Sequence, residues 1–163
     1  LKKVATDTDI ERIRYTTSHP KDFNEKLMHV MADHQDKICE YVHLPFQSGN
    51  TEILKRMNRG YSREEYIAKI NQMKKIIPNL VLSTDIIVGF PGERPADVDA
   101  MAAYLDSSPL THLHVFPYSD RPGTVASRMG DRPSGVAVKE RGARVRRIGA
   151  ALSHRFVERS LAQ

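Results

Sequence analysis

The sequence predicts an α/β fold in which four short strands alternate with helices. Segments 13–17, 41–44, 80–88 and 112–118 read as strands, because each is rich in apolar or β-branched residues and stops at proline, glycine or polar turn residues. Helical patterns separate them, and strand–helix–strand units give right-handed connections and a parallel sheet. Four units do not close a barrel, so the sheet is either open or an arc of a larger one.

The third strand and three of the helices are predicted from separate sequence patterns. Segment 80–88 is apolar at nearly every position outside 83–85, which is typical of a parallel strand covered on both faces. Ser62 and Glu65 form a capping box that predicts the start of a helix. Apolar residues at helical spacing predict the buried stripes of two further helices: Phe23, Leu27, Val30 and Met31 in one, and Val138, Val145, Ile148, Leu152 and Phe156 in the last.

Composition bounds the class of protein. The 163 residues are 40% hydrophobic and 28% charged, which is ordinary for one globular domain. No run approaches the roughly 18 apolar residues of a membrane helix, and residues 1–30 lack the layout of a signal peptide. We therefore expect a cytoplasmic protein with no membrane partner.

Histidine and cysteine give no sign of a metal site. Cys39 is the only cysteine, and a single thiol makes no internal disulfide and cannot by itself ligate a cluster or zinc. His112 and His114 alternate on a strand and share a face, but no third ligand stands near them. We predict no metal ligands and no catalytic side chain in this chain.

The net charge of +5 is concentrated in the second part of the chain. Residues 1–93 carry 14 basic and 13 acidic residues, and residues 94–163 carry 11 and 7. The excess lies mainly on the last predicted helix, whose cations either track RNA phosphates or form a solvated outer face, which we favour. These cations are Lys139, Arg141, Arg144, Arg146, Arg147, Arg155 and Arg159.

Polar loops follow all four predicted strands. Ligands bind at the carboxyl ends of the strands in a parallel βα array. The segments found there are 18–20 (SHP), 47–49 (QSG), 89–93 (GFPGE) and 118–124 (YSDRPGT). Each one alone is also ordinary turn chemistry, but four polar ends on the same rim predict a shared ligand site.

These motifs resemble those of a known family. RIRYTTSHP (12–20), HLPFQSG (43–49) and DIIVGFPGE (85–93), with the spacer MNRGYS (57–62), resemble successive motifs of radical S-adenosylmethionine (SAM) methylthiotransferases in the same order. The resemblance implies an α/β fold made of the C-terminal four βα units, strands three to six, of a partial (β/α)6 TIM-like barrel. Residues 1–135 would form this partial barrel, and 136–163 the terminal barrel helix, leading to an RNA-binding domain that is missing here.

The resemblance also implies a function. The chain would be a fragment of a tRNA methylthiotransferase that adds a methylthio group to C2 of a hypermodified adenosine next to the anticodon. SAM would be its cofactor, with iron–sulfur clusters in the full-length family member, and tRNA its partner. Two alternatives stay open: a fragment of a methylthiotransferase that modifies a ribosomal protein, and a non-catalytic binding module.

Carried over by position, four residues of the first three loops and strands would approach SAM. Ser18 would lie near the SAM end of its strand. Gln47 and Ser48 would hydrogen-bond the ribose or the methionine part. Asp85 would lie on the inner rim of the barrel.

The same resemblance places five further residues around the adenine and the substrate. Ile87, Val88 and Gly89 would pass close to the adenine, where glycine allows the backbone to approach. Tyr118 would close the adenine side of the site. Arg121 would meet substrate or a phosphate.

The departures from the family bear on activity. The SAM-cleaving cluster of the family needs three closely spaced cysteines and the second cluster three more, whereas this chain has only Cys39. We therefore predict that the 163-residue chain alone is inactive. An arc of four strands exposes an edge and an apolar face, which predicts self-association or pairing with the missing half-barrel.

Composition changes at residue 93. Residues 1–93 contain 9 Lys, 5 Arg and 10 Ile, and residues 94–163 contain 1, 10 and 1. The first part resembles the isopentenyladenosine-tRNA branch of the family, and the second, with HLHVFPYS (112–119), the threonylcarbamoyladenosine-tRNA branch. Either two related genes are joined at a shared loop motif, or one gene has uneven composition.

Overall fold

The computed structural model describes residues 1–16 and 19–162. Its sheet has three parallel strands in the order β1-β2-β3: β1 is Tyr41–His43, β2 is Val81–Val88 and β3 is His112–Pro117. The longest strand is central and pairs with both neighbours. The α/β class with a parallel sheet is therefore confirmed.

The described residues form six α-helices. The capping box at the start of α4 is present, with the Ser62 hydroxyl accepting from the Glu65 N–H and the Glu65 carboxylate accepting from the Ser62 N–H. None of the helices in the described part of the chain has the length and apolarity needed to cross a membrane. The helices are α1 Lys2–Asp7, α2 Glu25–Asp33, α3 Thr51–Arg56, α4 Arg63–Ile76, α5 Pro95–Ser107 and α6 Gly135–Leu161, with a 3-10 turn at Ala126–Arg128.

The structure corrects the prediction of a full strand at 13–17. The described residues 13–16 are not a strand, and Ile13 forms an isolated parallel bridge to Ile38. The Cys39 N–H donates to the Ile13 carbonyl, but the Cys39 carbonyl accepts from the Tyr41 N–H at 2.7 Å. The chain therefore turns locally between Cys39 and Tyr41, and residues 14–16 are not part of a strand.

Helices cover one face of β2 rather than two, which corrects the expectation from its apolar run. Leu82, Ile86 and Val88 are fully buried in the core, whereas Asp85 and Ile87, which alternate with them, are half-exposed on the other face. Side chains alternate along a strand, so one face of the sheet meets the helices and the other stays open. Of the polar residues of β2, Ser83 and Asp85 belong to this open face, whereas Thr84 is buried on the helical face against Tyr66.

The loop after β1, residues 44–50, is anchored to β2 by backbone hydrogen bonds. The Gln47 N–H donates to the Asp85 carbonyl at 2.8 Å, and the Ile87 N–H donates to the Gln47 carbonyl at 2.9 Å. Gln47 has a φ of 71°, a left-handed conformation that a non-glycine residue adopts at a cost of roughly 1–2 kcal/mol. The two hydrogen bonds offset that cost and fix the Gln47 side chain at the end of the sheet.

Buried tyrosines hold the same loop from the α4 side. The Tyr66 hydroxyl donates to the Leu44 carbonyl at 2.7 Å, and the Tyr61 hydroxyl lies 3.0 Å and 3.1 Å from the carbonyls of Pro45 and Phe46. Burial raises the pKa of Tyr61 to about 12, so its hydroxyl keeps the proton that it donates at neutral pH. The loop is therefore held on both sides before any ligand binds.

The loop after β2, residues 89–94, closes around a buried ion pair. The Glu93 carboxylate accepts from the Gly89 N–H at 2.8 Å and from Arg141 of α6 at 2.7 Å, and its side chain is only 2% exposed. Burial raises the pKa of the Glu93 carboxyl, against the opposing effects of the Gly89 N–H and the Arg141 guanidinium. Arg141 thus leaves the solvated face predicted for it and ties α6 to the sheet.

We predict that Gly49→Ala destabilises the chain by about 1–3 kcal/mol, because a Cβ at this position would stand 2.4 Å from the Met101 Cβ. Gly135→Ala is the matched control, since nothing lies within 4 Å of its added Cβ and alanine favours the first turn of α6. Chemical denaturation measures both. Equal stability of the two variants would contradict the close packing of Gly49 on α5.

We predict that Arg141→Met lowers the free energy of unfolding by about 3–5 kcal/mol, because it leaves the Glu93 carboxylate buried without a cation to neutralise it. Arg144→Met is the control: its ion pair with Asp99 is exposed and should contribute less than about 1 kcal/mol.

The deficit of Arg141→Met should shrink in acid. A raised folded-state pKa means that the folded protein binds the proton more tightly than the unfolded chain does. Protonation of Glu93 therefore stabilises the folded variant. This stabilisation is complete below the ordinary Glu pKa of 4.5 and is lost as pH rises through the raised pKa of Glu93. Denaturation at pH 4 and pH 7 measures it, and a deficit that is the same at both would contradict the role of the Glu93 charge.

Candidate cofactor-binding site

An open cavity of about 630 Å³ lies at the carboxyl end of the sheet. Small-molecule sites in proteins typically enclose about 300–1,000 Å³. The lining comes from all three strand ends and from the turn after α3. It consists of Gln47, Arg56, Met57, Asn58, Arg59, Asp85, Ile87, Phe90, Phe116, Pro117, Tyr118, Ser119, Arg121, Thr124, Val125 and Ala126.

The cavity brings together five of the residues singled out in the sequence: Gln47, Asp85, Ile87, Tyr118 and Arg121. Pairing to β2 sets the positions of two of them, Gln47 and Tyr118. Gln47 bridges to Ile86 on one side of β2, and on the other side the Tyr118 N–H donates to the Val88 carbonyl at 2.8 Å. The two opposite walls are thereby fixed to the strand that forms the floor.

Three other predicted site residues lie outside this lining. The Ser48 hydroxyl is turned into its own loop, where it accepts from the Asn50 N–H. The Val88 side chain belongs to the core on the helical face of β2. Gly89 has a φ of 83°, its N–H donates to Glu93, and a Cβ there would stand 2.5 Å from Val138 of α6.

Ser18, the remaining predicted site residue, lies outside the described residues, and its role stays a prediction. Of the described residues near it, His19 accepts from the Lys21 N–H through Nδ1 and its ring meets the edge of the Tyr61 ring. His19 therefore supports the chain next to the tyrosine that holds the 44–50 loop.

Sequence reasoning missed two cavity arginines. Arg56 donates to the Pro91 carbonyl at 2.9 Å and passes over Gly92, where any Cβ would collide with its guanidinium. Arg59 is half-buried, and its guanidinium has no hydrogen bond or ion pair within the described part of the chain. The sequence feature that could have indicated them is the pair of arginines just before Gly60. By itself, this pattern predicts only the end of a helix.

The charges in the cavity are unbalanced. Arg56, Arg59 and Arg121 face a single carboxylate, that of Asp85. An unpaired, half-buried guanidinium favours an anionic ligand group such as a carboxylate or phosphate. The Asp85 carboxylate favours a hydroxyl or ammonium donor, so the cavity suits a ligand that carries both kinds of group.

Phe90, Phe116 and Tyr118 add an aromatic surface to the cavity. The Tyr118 ring lies edge-on to Phe90, with ring centroids 5.2 Å apart, and Phe116 is 51% exposed beside the half-buried Ile87. Partial desolvation and the neighbouring Asp120 raise the pKa of Tyr118, which therefore stays neutral near pH 7. A planar ring system could pack on this surface.

Within residues 1–16 and 19–162, no group of three or more His, Cys, Asp or Glu side chains is arranged to hold a metal ion. His112 does not pair with His114 as a ligand. Its Nδ1 lies 2.8 Å from the Thr111 hydroxyl and its ring packs on Phe156 of α6. Burial, then the neighbouring His114, lowers the pKa of His112.

Several curated relatives of this chain share one name. A tRNA-2-methylthio-N(6)-dimethylallyladenosine synthase from Bdellovibrio bacteriovorus is 48% identical over 159 residues, which is 98% of this chain and 35% of that protein. Synthases of the same name from Acetivibrio thermocellus (45% identical, 86% of this chain and 29% of that protein) and Methylacidiphilum infernorum (43%, 91% and 32%) are also similar.

These alignments give the share of each relative that the chain covers. They also extend across residue 93, where the composition of the chain changes. The chain spans about a third of the length of the curated relatives it matches. The alignment with the Bdellovibrio relative spans both sides of residue 93, and both explanations of the step, two joined genes or one gene of uneven composition, stay open. The resemblance of residues 94–163 to the threonylcarbamoyladenosine-tRNA branch stays a prediction.

The fold and the family agree. Coproporphyrinogen III oxidase from Escherichia coli, a radical SAM enzyme, superimposes with a TM-score of 0.57 over 81% of this chain and 39% of its own, at 18% identity. The three parallel strands therefore correspond to part of a radical SAM barrel. The family model for the radical SAM superfamily matches residues 1–105. With well over half of its length matched, this chain belongs to the radical SAM superfamily.

Proposed function

We propose that the cavity at the carboxyl end of the sheet binds SAM, and that the chain is the SAM-binding part of a radical SAM tRNA methylthiotransferase. The observation that carries this proposal is that Gln47, Asp85, Ile87 and Tyr118, from three successive strand ends, line one cavity. A shared cavity at this edge is where parallel βα folds bind ligands. The names of the curated relatives supply the substrate class.

The groups in the cavity fit those of SAM. Half-buried Arg59, which lacks a protein partner in the described structure, suits the carboxylate of the methionine part. Asp85 and Gln47 suit the ammonium or the ribose hydroxyls, and Ile87 and Tyr118 suit the adenine. SAM bound there would supply a sulfonium carbon–sulfur bond, whose reductive cleavage begins the chemistry of this superfamily.

The residues that fall outside the cavity take supporting roles in this proposal. Ser48 holds the turn that presents Gln47, and Val88 anchors β2 in the core. Gly89 lets α6 pack close to the end of β2. Arg121, exposed on the rim, remains a proposed contact to substrate or phosphate.

An iron–sulfur cluster does not fit this chain alone. Clusters are held by several thiolates, and the sequence contains only Cys39. Cys39 lies beside the bridge at Ile13, where its sulfur accepts from Arg12 at 3.2 Å, and it is absent from the cavity lining. No step through a cluster is therefore assigned to these residues.

At the level of the whole protein, we propose methylthiolation of a tRNA adenosine carrying a dimethylallyl group, as the names of the relatives indicate. In this proposal the chain is one piece of a longer protein, with cluster ligands on a portion outside it. Residues 1–135 would form the partial barrel, and the helix from 136 would lead to an RNA-binding domain. Pairing of the open sheet face with the rest of the barrel would bury it.

We predict that the chain binds SAM, and that Arg59→Met weakens binding at least about 10-fold through loss of a charge-assisted contact. Arg159→Met is the matched control: this arginine is exposed near the end of α6, far from the cavity lining, and its loss should leave binding unchanged. Calorimetric titration with SAM measures all three proteins. Absence of binding to the unmodified chain would overturn the proposed site.

We further predict that the chain alone does not cleave SAM, because one thiol cannot complete a cluster. The measurement is anaerobic reconstitution with iron and sulfide, followed by visible spectroscopy and assay of 5′-deoxyadenosine. Cluster absorbance together with release of 5′-deoxyadenosine would overturn this prediction. A full-length family member that contains the cluster cysteines serves as the positive control.

A further inference from the structure

A hydrogen-bonded row of four side chains crosses the open face of the sheet and ends at the cavity. Tyr41 and His43 come from β1, and Ser83 and Asp85 from β2, whose register puts His43 opposite Ser83. The Tyr41 hydroxyl lies 2.7 Å from Ser83 Oγ, Ser83 Oγ 2.8 Å from His43 Nδ1, and His43 Nε2 3.2 Å from Asp85 Oδ2. We call this row the β1–β2 relay.

We infer that His43 is a positioning residue, which orients the Asp85 carboxylate for the ligand in the cavity through the β1–β2 relay. The inference rests on the proposed function, because it takes Asp85 to contact the ligand. None of the residues carried over from the family resemblance is His43. His43 itself is absent from the cavity lining, so it would act only through Asp85.

The donors and acceptors of the relay match in one direction. The Tyr41 hydroxyl donates to Ser83 Oγ, the Ser83 hydroxyl donates to His43 Nδ1, and His43 Nε2–H donates to Asp85 Oδ2. Every hydroxyl and ring nitrogen then has a partner while the imidazole is neutral and protonated on Nε2. The relay therefore selects the tautomer that can hold a carboxylate.

The relay is protected from solvent where it begins and open where it ends. Ser83 is 1% exposed, and the Arg14 guanidinium lies 4.2 Å above the centre of the Tyr41 ring. The side chains of His43 and Asp85 are 20% and 26% exposed. A hydrogen bond in this half-buried setting restrains a carboxylate more than an exposed one would.

Asp85 keeps one oxygen for the cavity. His43 takes Oδ2, while Oδ1 has no partner among the described residues, and the residue lines the cavity wall. A carboxylate rotating freely about its terminal bond would present either oxygen in many orientations. Fixing Oδ2 therefore fixes the direction in which Oδ1 accepts from a ligand hydroxyl or ammonium.

Other charged or titratable groups near the relay do not replace this contact. His114 of β3 stands opposite Asp85 in the register, and its ring centroid is 5.7 Å from that of His43. It makes no hydrogen bond or ion pair to Asp85 in the described structure. His114 is thus a matched control: a histidine on the same open face that does not hold the carboxylate.

The experiment combines SAM titration with a double-mutant cycle. We expect His43→Leu to weaken SAM binding about 10-fold, as loss of one hydrogen bond to a charged group predicts. His43→Gln, which retains an N–H donor, should recover most of the affinity, and His114→Leu should leave it within about 2-fold. In an Asp85→Asn background, His43→Leu should have no further effect, because it acts only through that carboxylate.

Each outcome decides the inference. A His43→Leu loss that persists at full size in the Asp85→Asn background would mean a structural role and would overturn it, as would unchanged binding by His43→Leu. Thermal unfolding of each variant identifies any loss of fold, and His43→Gln keeps the test valid if His43→Leu fails to fold.

A second readout separates this inference from the proposed function. Nitrogen-15 NMR of the imidazoles, assigned by the signal missing in His43→Gln, reports the tautomer without SAM. We expect protonation on Nε2 in the unmodified chain and a redistribution between tautomers in Asp85→Asn. An Nδ1-protonated His43 overturns the relay even if SAM binds, whereas the Nε2 tautomer without SAM binding overturns the proposed function and leaves the relay standing.

Discussion

The parallel pairing of β2 with both of its neighbours is the constraint on which the site depends. It continues past the ends of the short strands, through the bridge from Gln47 to Ile86 and the hydrogen bond from Tyr118 to Val88. Because side chains alternate along a strand, a slip of one residue would turn Asp85 into the core and a core residue toward the cavity. The lining therefore exists only in this register.

Two kinds of polar residue occupy the loops at this edge, and they do different work. Ser48 and Glu93 are turned inward, where they accept from backbone N–H groups and shape the turns. Gln47 and Arg59 point to the cavity and have no side-chain partner in the described structure. The inward group gives the loops their shape before a ligand arrives, which reduces the ordering that binding requires.

The rigidity of the 44–50 loop comes from several independent contacts. Tyr66 and Tyr61 donate to its carbonyls, and Met101 of α5 packs where Gly49 lacks a side chain. Such support explains how Gln47 keeps a left-handed backbone conformation, since strained residues persist only where the surroundings fix them. The contacts of the loop offset the free energy of the left-handed conformation, and the Gln47 side chain is thereby held at the cavity.

The cavity and the open face together account for the chemistry proposed here. The arginines supply positive charge for an anionic group, while Asp85 supplies the single carboxylate. The β1–β2 relay leads from Tyr41 to that carboxylate along the face of the sheet opposite the described core. A partial barrel whose inner face carries polar residues is consistent with a ligand site on that face rather than a dry core.

The sequence by itself determined the α/β class, the parallel sheet, the capping box at Ser62 and the strand ends that line the cavity. These are local signals, because period, caps and turn residues act over a few positions. Only the tertiary structure decided that residues 13–16 form an isolated bridge at Ile13 rather than a strand, since the Cys39 carbonyl accepts from Tyr41 of its own segment.

Which of the neighbouring polar residues faces the cavity was likewise beyond the sequence. Ser48 and Gln47 are neighbours with similar chemistry, yet the loop turns one inward and the other toward the cavity. The opposite fates of Arg59, unpaired at the cavity, and Arg141, buried against Glu93, depend on groups brought close by folding. Residue type and spacing do not predict such contacts, because the packing of whole helices on the sheet decides which residues meet.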